Sequence, residues 1–265
     1  MKKLLLLLLV GYFAYGQNIK TELWKKPWKA TWITYAENSA NAYNLVGLKD
    51  YGVYRFQHKV SLLAKPAKCI IHVSGDNRYK LYVNGTWVSA GPARGDLYFW
   101  NFETLDIAPY LKAGENKVEA LVWNEGKGKS EAQISYATGF ILQADEETFE
   151  AFNTNVGWEV SKNIGISPLA VRVPGYYVAG AGELQEYAKG WSPFISAKSL
   201  GPGLTKGAAI DSRGWMLYPS AIPAMELKSQ RFAAIRKGEG DLIHGSPLVI
   251  MANSSMDIWV DQGEL

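Results

Sequence analysis

Residues 69–124 decide the fold, and they read CIIHVSGDNRYKLYVNGTWVSAGPARGDLYFWNFETLDIAPYLKAGENKVEALVWN. Cys69–Val73 is a short apolar run rich in β-branched residues, which is typical of a buried strand. Arg78–Val83 alternates between apolar and polar side chains, and Thr86–Ser89 resumes an extended pattern. An Asn-Gly pair lies between these two segments and is the strongest short-range hairpin signal, because both of its residues tolerate a positive φ. The stretch therefore predicts a strand followed by a tight β-hairpin.

Further strand patterns flank this hairpin on both sides. Tyr54–Leu62 and Lys117–Trp123 alternate, and Thr138–Ala144 is a short apolar run. Proline and glycine separate these runs and indicate turns. Several short strands at close spacing predict an all-β fold, an antiparallel β-sandwich.

The remaining segments suggest how the domains are arranged. We expect a sandwich over residues 24–200, in which Trp24, Trp28 and Trp32 lie on an extended segment that covers a sheet edge. Within it, Phe149–Phe152 is expected to be a returning strand and Glu183–Lys189 a helical turn. Residues 192–211 lose periodicity and resemble a linker or surface-crossing connection. We therefore predict that residues 201–265 are a linker and the first strands of a second, truncated β domain, with strands at Leu248–Ala252 and Asp257–Val260, since two strands alone cannot close a core.

The first sixteen residues have the pattern of an export signal. Lys2 and Lys3 precede the apolar run Leu4–Val10, and small residues at Ala14 and Gly16 suit cleavage before Gln17. The apolar run is too short to span a bilayer in the mature protein. We therefore expect a protein that is exported to the periplasm or the medium, with no membrane segment in its mature form.

Composition excludes several classes of function. Net charge falls from +3 to +1 when the two leader lysines are removed, so we expect no nucleic-acid partner. His58, His72 and His244 are scattered, and Cys69 is the one cysteine and lies in an apolar run. We therefore expect neither a metal site nor a cofactor.

Polar and aromatic residues gather at the ends of the predicted strands, where the loops of a sandwich meet. Aromatic rings pack on the C–H faces of sugars, and planar Asp, Asn and Arg groups form paired hydrogen bonds with hydroxyls. The predicted sugar-binding residues are Asp76, Asn77, Arg78, Arg94, Asp96, Trp100 and Asn124. An equally weighted alternative is structural, because Asp and Asn are common turn formers and Arg94–Asp96 can be an ion pair.

An ordered set of segments gives the sequence a family resemblance. Residues 76–116, DNRYKLYVNGTWVSAGPARGDLYFWNFETLDIAPYLKAGEN, resemble the N-terminal β-sandwich module of bacterial α-L-rhamnosidases. Supporting segments are YRFQHKV before it, and AQISYATGFILQ, TNVGWEV, GYYVAGAGE and RGWMLYPSAIPAME after it. The resemblance runs from about Trp28 to Leu265, and it implies a bacterial protein whose sandwich is of the jelly-roll, galactose-binding-like kind.

The resemblance implies a non-catalytic part of a larger enzyme. In that family the catalytic carboxylates belong to a downstream (α/α)₆ barrel, which performs inverting hydrolysis. We therefore predict no catalytic residue in this chain, since Glu183, Glu186, Asp211 and Glu226 have no spacing that separates them from surface acids. The expected partners are a rhamnose-containing glycan and the downstream catalytic domain. The alternatives are a stand-alone secreted carbohydrate-binding module and a purely structural β domain.

Overall fold

The computed structural model describes residues 19–36, 48–155, 157–169, 180, 182–207, 214–222, 231–240, 256–261 and 263. Contacts between residues divide the chain into two units, Met1–Ile222 and Pro223–Leu265. The predicted leader, residues 1–16, lies outside the described residues.

The described part of the first unit is built almost entirely of strands. Its strands are β1 (Thr31–Thr34), β2 (Gly52–Leu62), β3 (Ile70–Asp76), β4 (Arg78–Val83), β5 (Thr86–Gly91), β6 (Trp100–Asp106), β7 (Gly114–Asn124), β8 (Gly139–Ala144), β9 (Glu159–Lys162), β10 (Ile166–Pro168), β11 (Glu183–Gln185), β12 (Ile195–Ser196), β13 (Lys198–Pro202), β14 (Leu204–Thr205) and β15 (Met216–Pro219). Its helical segments are α1 (Glu22–Lys25) and single 3-10 turns at Ala108–Tyr110, Gly126–Gly128 and Glu147–Phe152. The predicted all-β class is confirmed.

Two large sheets form the sandwich. One has seven strands in the order β13-β1-β8-β3-β6-β15-β14, and the other has six in the order β12-β9-β2-β7-β4-β5. Strand pairing is antiparallel except where β15 pairs in parallel with β6 and with β14. Strands β10 and β11 form a separate two-stranded pair.

The predicted hairpin joins β4 to β5. Asn84 and Gly85 have φ values of 51° and 79°, the left-handed conformation that a tight hairpin turn requires. The Asn84 side chain strengthens the turn, because its Oδ1 accepts from the Lys117 amide at 3.0 Å and its Nδ2 donates to the Tyr110 carbonyl at 2.9 Å. The turn is therefore tied to β7 as well as to its own hairpin.

Alternating side chains from both sheets form the inner core. Ile71 and Val73 on β3 face the other sheet, where they join Phe56 and Leu81 in one buried cluster. His72 lies between them in sequence and so faces the opposite side of its sheet. This alternation is the physical reason that the short apolar runs of the sequence form strands.

A second core covers the outer face of the seven-stranded sheet. We call it the outer aromatic core, and its buried members are Trp28, Ala30, Trp32, Trp100, Phe102, Ala137, Ile141, Trp215 and Leu217. The rings of Trp32 and Trp215 stack at 4.0 Å between centroids. The prediction that the N-terminal tryptophans cover a sheet edge is corrected: β1 lies between β13 and β8, and Trp28 and Trp32 cover a sheet face.

Three other local predictions differ from the structure. Glu183–Gln185 is strand β11 and not a helical turn, because it pairs with β10. Glu147–Phe152 is a 3-10 turn and not a returning strand. Strands β14 and β15 complete the seven-stranded sheet, so the predicted boundary at residue 200 falls inside the sandwich unit.

The second unit contains a described β-hairpin. Strand β16 (Ala234–Gly240) pairs in antiparallel fashion with β17 (Met256–Asp261), which confirms the strand predicted at Asp257–Val260. The strand predicted at Leu248–Ala252 lies outside the described residues. No helix within the described ranges is long and apolar enough to cross a bilayer.

Candidate carbohydrate-binding surface

Asp76, the first predicted sugar ligand, lies at the end of β3 and is fully buried. Its Oδ2 accepts hydrogen bonds from the amides of Tyr136 at 2.8 Å and Ala137 at 3.3 Å, and from Trp215 Nε1 at 2.9 Å. Its Oδ1 accepts from Asn77 Nδ2 at 2.7 Å. Burial raises the pKa of Asp76 to about 6, and the surrounding donors oppose that rise. Asp76 therefore connects the β7–β8 loop and Trp215 to the end of β3.

Asn77 and Asn124 hold the same loop from the other side, and both are buried. Asn77 Oδ1 accepts from the Glu125 amide at 2.8 Å. Asn124 Oδ1 accepts from the Gly126 amide at 2.9 Å, and its Nδ2 donates to Ser135 Oγ at 2.9 Å. The backbone amides of Glu125 and Gly126 lie in a loop that forms no sheet, and buried amides need hydrogen-bond partners. The side-chain oxygens of Asn77 and Asn124 supply these partners.

Trp100 is also internal. Only 2% of it is exposed, and its ring meets Trp215 edge-to-face at 6.4 Å. Asp76, Asn77, Trp100 and Asn124 thus have almost no surface open to solvent. For Asp76 and Asn77 the contacts agree with the structural alternative, and sugar binding by all four residues stays a prediction.

Arg78, Arg94 and Asp96 belong to, or support, the loop at residues 92–99. Arg78 is half-buried and its Nη1 donates to the Pro92 carbonyl at 2.9 Å. Asp96 is exposed, and its Oδ1 accepts from the amides of Tyr98 at 2.8 Å and Phe99 at 3.0 Å. Arg94 is exposed on the same loop. The structure brings these three together and places two of them at the surface.

A partly buried carboxyl group, that of Glu103, anchors the start of this loop. Glu103 Oε1 accepts from the Ala93 amide at 3.1 Å, and Glu103 Oε2 accepts from the Tyr79 hydroxyl at 2.9 Å. Burial raises the pKa of Glu103 to about 7. From the other side, Asn101 Nδ2 donates to the carbonyls of Ala93 and Arg94. The loop is therefore fixed at several points.

This fixed loop carries part of an exposed aromatic surface. We call it the aromatic row: Trp24, Tyr218 and Phe99, with Lys206 beside them. The Trp24 and Tyr218 ring centroids are 5.7 Å apart, those of Tyr218 and Phe99 are 5.4 Å apart, and Lys206 Nζ lies 5.2 Å from the Phe99 centroid. Tyr218 is 41% and Phe99 45% exposed, so both rings present open surface.

Sequence reasoning missed the aromatic row. Its members come from α1, the 92–99 loop and β15, which lie far apart in the chain. Tyr98 and Phe99 directly precede Trp100. The sequence therefore indicates an aromatic surface here but does not indicate which of the three rings is buried. The alternation of β6 turns Trp100 inward, whereas Phe99 precedes the strand and stays at the surface.

A cleft of about 420 Å³ lies between the α1 segment and the turn after β8. Its charges are largely paired: Lys29 Nζ lies 2.8 Å from Glu147 and 3.1 Å from Glu150, and Lys20 Nζ lies 3.0 Å from Asp145. Trp28 lines the cleft but is 4% exposed. Glu22, Lys26 and Glu146 also line the cleft and form none of these pairs, but the cleft offers a ligand little aromatic surface.

The other acids that the sequence raised have structural partners or are not described. Glu183 accepts from the Tyr51 hydroxyl at 3.0 Å, and Glu186 pairs with Lys189. Asp211 and Glu226 lie outside the described residues. Within the described ranges, no group of three or more His, Cys, Asp and Glu side chains is arranged to hold a metal ion.

Comparison with known proteins bears on the fold. No protein-family model matches the sequence, and the comparison with curated proteins finds no match either. A GH78-family rhamnosidase of Bacillus sp. GL1 matches 82% of this chain, with a TM-score of 0.63 and 22% identity, and the match covers 22% of that enzyme.

Two further solved structures are less similar. An α-L-rhamnosidase from Dictyoglumus thermophilum has a TM-score of 0.44 and 16% identity, over 82% of this chain and 24% of that one. A Pleurotus ostreatus lectin in complex with GalNAc has a TM-score of 0.40 and 18% identity, over 75% of this chain and 50% of the lectin. At these TM-scores neither similarity carries weight. The predicted resemblance is confirmed at the level of fold: the chain shares its fold with part of a GH78 rhamnosidase and spans 22% of that enzyme's length.

Proposed function

We propose that this chain is the non-catalytic β-sandwich part of a secreted α-L-rhamnosidase-like glycoside hydrolase that acts on rhamnose-containing glycans. The observation that carries the proposal is the fold similarity to a GH78 rhamnosidase over 82% of this chain but only 22% of the enzyme. In the proposal, the sandwich supports a catalytic domain that belongs to the same polypeptide.

The placement of the acids supports a non-catalytic role. Hydrolysis of a glycoside requires two carboxyl groups that face each other across an open cleft, one with a raised pKa. Asp76 and Glu103 have raised pKa values, but Asp76 is fully buried and Glu103 partly buried, and both accept hydrogen bonds from donors of the scaffold. Glu183 and Glu186 lie at the surface and contact Tyr51 and Lys189.

The export signal supports secretion. Lys2, Lys3 and the apolar run Leu4–Val10 have the charge and length of a signal peptide. Secretion predicts that the mature chain begins near Gln17 and is found in the periplasm or medium, which N-terminal sequencing of the native protein from cell fractions would test.

Hydrolysis assays test the central proposal. The purified 265-residue chain, with its fold verified by circular dichroism, should not release aryl alcohol from an aryl α-L-rhamnoside. The polypeptide encoded by the whole native transcript should do so and should contain the helical catalytic domain. Turnover by the 265-residue chain itself would refute the proposal, and so would a transcript that encodes no catalytic domain.

A second function is that the sandwich itself binds glycans. The exposed rings of the aromatic row favour it, because open aromatic faces next to a fixed loop suit the C–H faces of pyranoses. Calorimetry with rhamnose and rhamnosylated polysaccharides tests this function. Heat that saturates with ligand would support it, and no heat at millimolar sugar would exclude binding of these ligands.

A further inference from the structure

We infer that the aromatic row binds an acidic polysaccharide, with uronate rings packed on Phe99 and Tyr218 and a uronate carboxylate paired with Lys206. The inference rests on the second function above, glycan binding by the sandwich, and adds the chemical class of the glycan. It does not depend on the rhamnosidase proposal.

The row has the ring spacing of a binding surface but is not flat. The Trp24 and Tyr218 planes meet at 70°, and those of Tyr218 and Phe99 meet at 74°. Successive rings therefore present their faces in different directions. This arrangement suits a glycan chain that turns between residues and is unsuited to a flat, ribbon-like chain, which needs coplanar rings.

Lys206 supplies the charge. Its Nζ lies over the Phe99 ring, and none of the ion pairs within the described residues includes it. Its position is set by its neighbours, since Thr205 Oγ1 donates to the Trp24 carbonyl at 3.1 Å and Gly207 approaches the same carbonyl closely. The backbone on both sides of Lys206 thus packs against α1, the ammonium group lies beside the exposed rings, and no carboxylate in the described part of the chain forms an ion pair with it.

The charge of the surrounding segments favours an anionic ligand. Residues 22–26, 92–99 and 204–207 together carry four cationic side chains and two acids. One of those acids is Asp96, whose Oδ1 is occupied by two loop amides. A carboxylate-bearing sugar therefore meets attraction at this surface, and its stacked ring also excludes water from the ion pair.

The row is also largely preformed. Glu103, Asn101 and Asp96 fix the loop that carries Phe99, and Tyr218 lies on β15 in the seven-stranded sheet. A ligand that binds such a surface orders few side chains, so a modest number of contacts suffices for measurable affinity.

The chain offers a matched control on its other sheet. Trp87 on β5 is 40% exposed, and Lys80 Nζ lies 5.7 Å from its ring centroid. This pair has the same chemistry as Phe99 and Lys206 but lacks the neighbouring exposed rings of the row. Changes to Trp87 and Lys80 therefore report non-specific effects of losing a surface ring or a surface cation.

Affinity electrophoresis of the intact chain in gels that contain polygalacturonate tests the inference, and the neutral comparison is highly methyl-esterified polygalacturonate, which has the same backbone without the charge. We expect retardation by polygalacturonate that weakens with salt. Phe99→Ala and Tyr218→Ala should each reduce the affinity at least fivefold, and Lys206→Gln should abolish the preference for the acidic polymer. Trp87→Ala and Lys80→Gln should bind as the wild type does, and thermal unfolding verifies that each variant is folded.

The possible results distinguish acidic specificity of the aromatic row from glycan binding by the sandwich in general. If both polymers retard the protein equally, and Lys206→Gln does not change the retardation, the preference for acidic glycans is refuted. Glycan binding by the sandwich is then still supported. Retardation that survives both Phe99→Ala and Tyr218→Ala would place binding elsewhere and refute the inference. If neither polymer is retarded, the inference fails, and glycan binding by the sandwich is then decided by the calorimetry with rhamnose and rhamnosylated polysaccharides.

Discussion

Replacing Glu103 with Gln should make the unfolding of the sandwich less sensitive to pH. Glu103 is the partly buried acid that accepts from the Tyr79 hydroxyl and the Ala93 amide, and desolvation of its carboxyl group raises its pKa from 4.5 to about 7. Between these two pKa values the folded state keeps a proton that the unfolded state has lost. The free energy of unfolding therefore falls as the pH rises through this interval.

The size of the effect follows from the two pKa values. Between the two pKa values, the free energy of unfolding changes by ~1.4 kcal/mol for each pH unit. The interval from 4.5 to about 7 therefore corresponds to ~3 kcal/mol. A glutamine side chain at this position has the same shape as glutamate and does not ionise. Its amide can donate to the Tyr79 oxygen, and the Tyr79 hydroxyl can turn to Ser89 Oγ, which lies at 3.4 Å. The substitution should thus lower the free energy of unfolding by ~1 kcal/mol at every pH, because hydrogen bonds are altered. It should also remove the fall in this free energy that titration of Glu103 causes.

Urea unfolding at pH 4 and at pH 8 measures both quantities. The free energy of unfolding of the variant minus that of the wild type should be ~3 kcal/mol higher at pH 8 than at pH 4. This difference corresponds to a change of roughly 1–2 M in the urea midpoint. His72 and Asp76 also titrate differently in the folded and unfolded states, but both are present in both proteins. Their contributions cancel in the difference between wild type and variant.

Glu159→Gln is the matched control, because Glu159 is exposed on β9. Its pH profile should overlay that of the wild type. If wild type and Glu103→Gln show parallel profiles from pH 4 to 8, Glu103 does not titrate as its burial requires and the reasoning is wrong.

Three further changes test other parts of the structure. Trp215→Phe keeps an aromatic ring but removes a donor to Asp76, so it should lower the free energy of unfolding by ~2–3 kcal/mol in urea titrations at pH 8. Asn84→Ala, at a φ of 51°, loses its bonds to Lys117 and Tyr110 and should lower stability by ~2 kcal/mol in the same assay, more than Gly85→Ala does. His72→Phe should flatten the loss of stability below pH 6.5 in melting-temperature profiles, because burial lowers the pKa of His72 and only the wild type must bind a proton on unfolding there. An unchanged acid limb in His72→Phe, or a neutral effect of Trp215→Phe or Asn84→Ala, would contradict the role assigned to that residue.

The sequence was sufficient where neighbouring residues determine the structure. Arg78–Val83 has the bounds of β4, and the Asn84-Gly85 turn has the positive φ values that the dipeptide predicts. Strand alternation within a hairpin depends on residues only a few positions apart, so local patterns report it well.

The site residues could not be placed in this way because their burial depends on distant segments. Asp76 and Asn124 end strands, as predicted, but Asp76 is enclosed by a tryptophan that lies 139 residues later in the chain. An Asp at a strand end looks the same in the sequence whether its carboxylate faces solvent or an indole N–H. The contact between Phe99 and Tyr218 could not be predicted for the same reason. The two rings become neighbours only through the parallel pairing of β15 with β6.

That pairing also explains why the end of the sandwich cannot be placed where periodicity is lost. Residues 192–211 resemble a linker because β12, β13 and β14 are short and partly exposed. Beyond them, β15 brings Trp215 onto Trp32 and supplies a donor to Asp76. A sandwich that stopped at residue 200 would expose the outer aromatic core and leave a buried carboxyl group one hydrogen bond short. Residues 192–207 are therefore a structural part of the sandwich, because the segment that follows them adds β15 to the seven-stranded sheet and packs Trp215 on the outer face of that sheet.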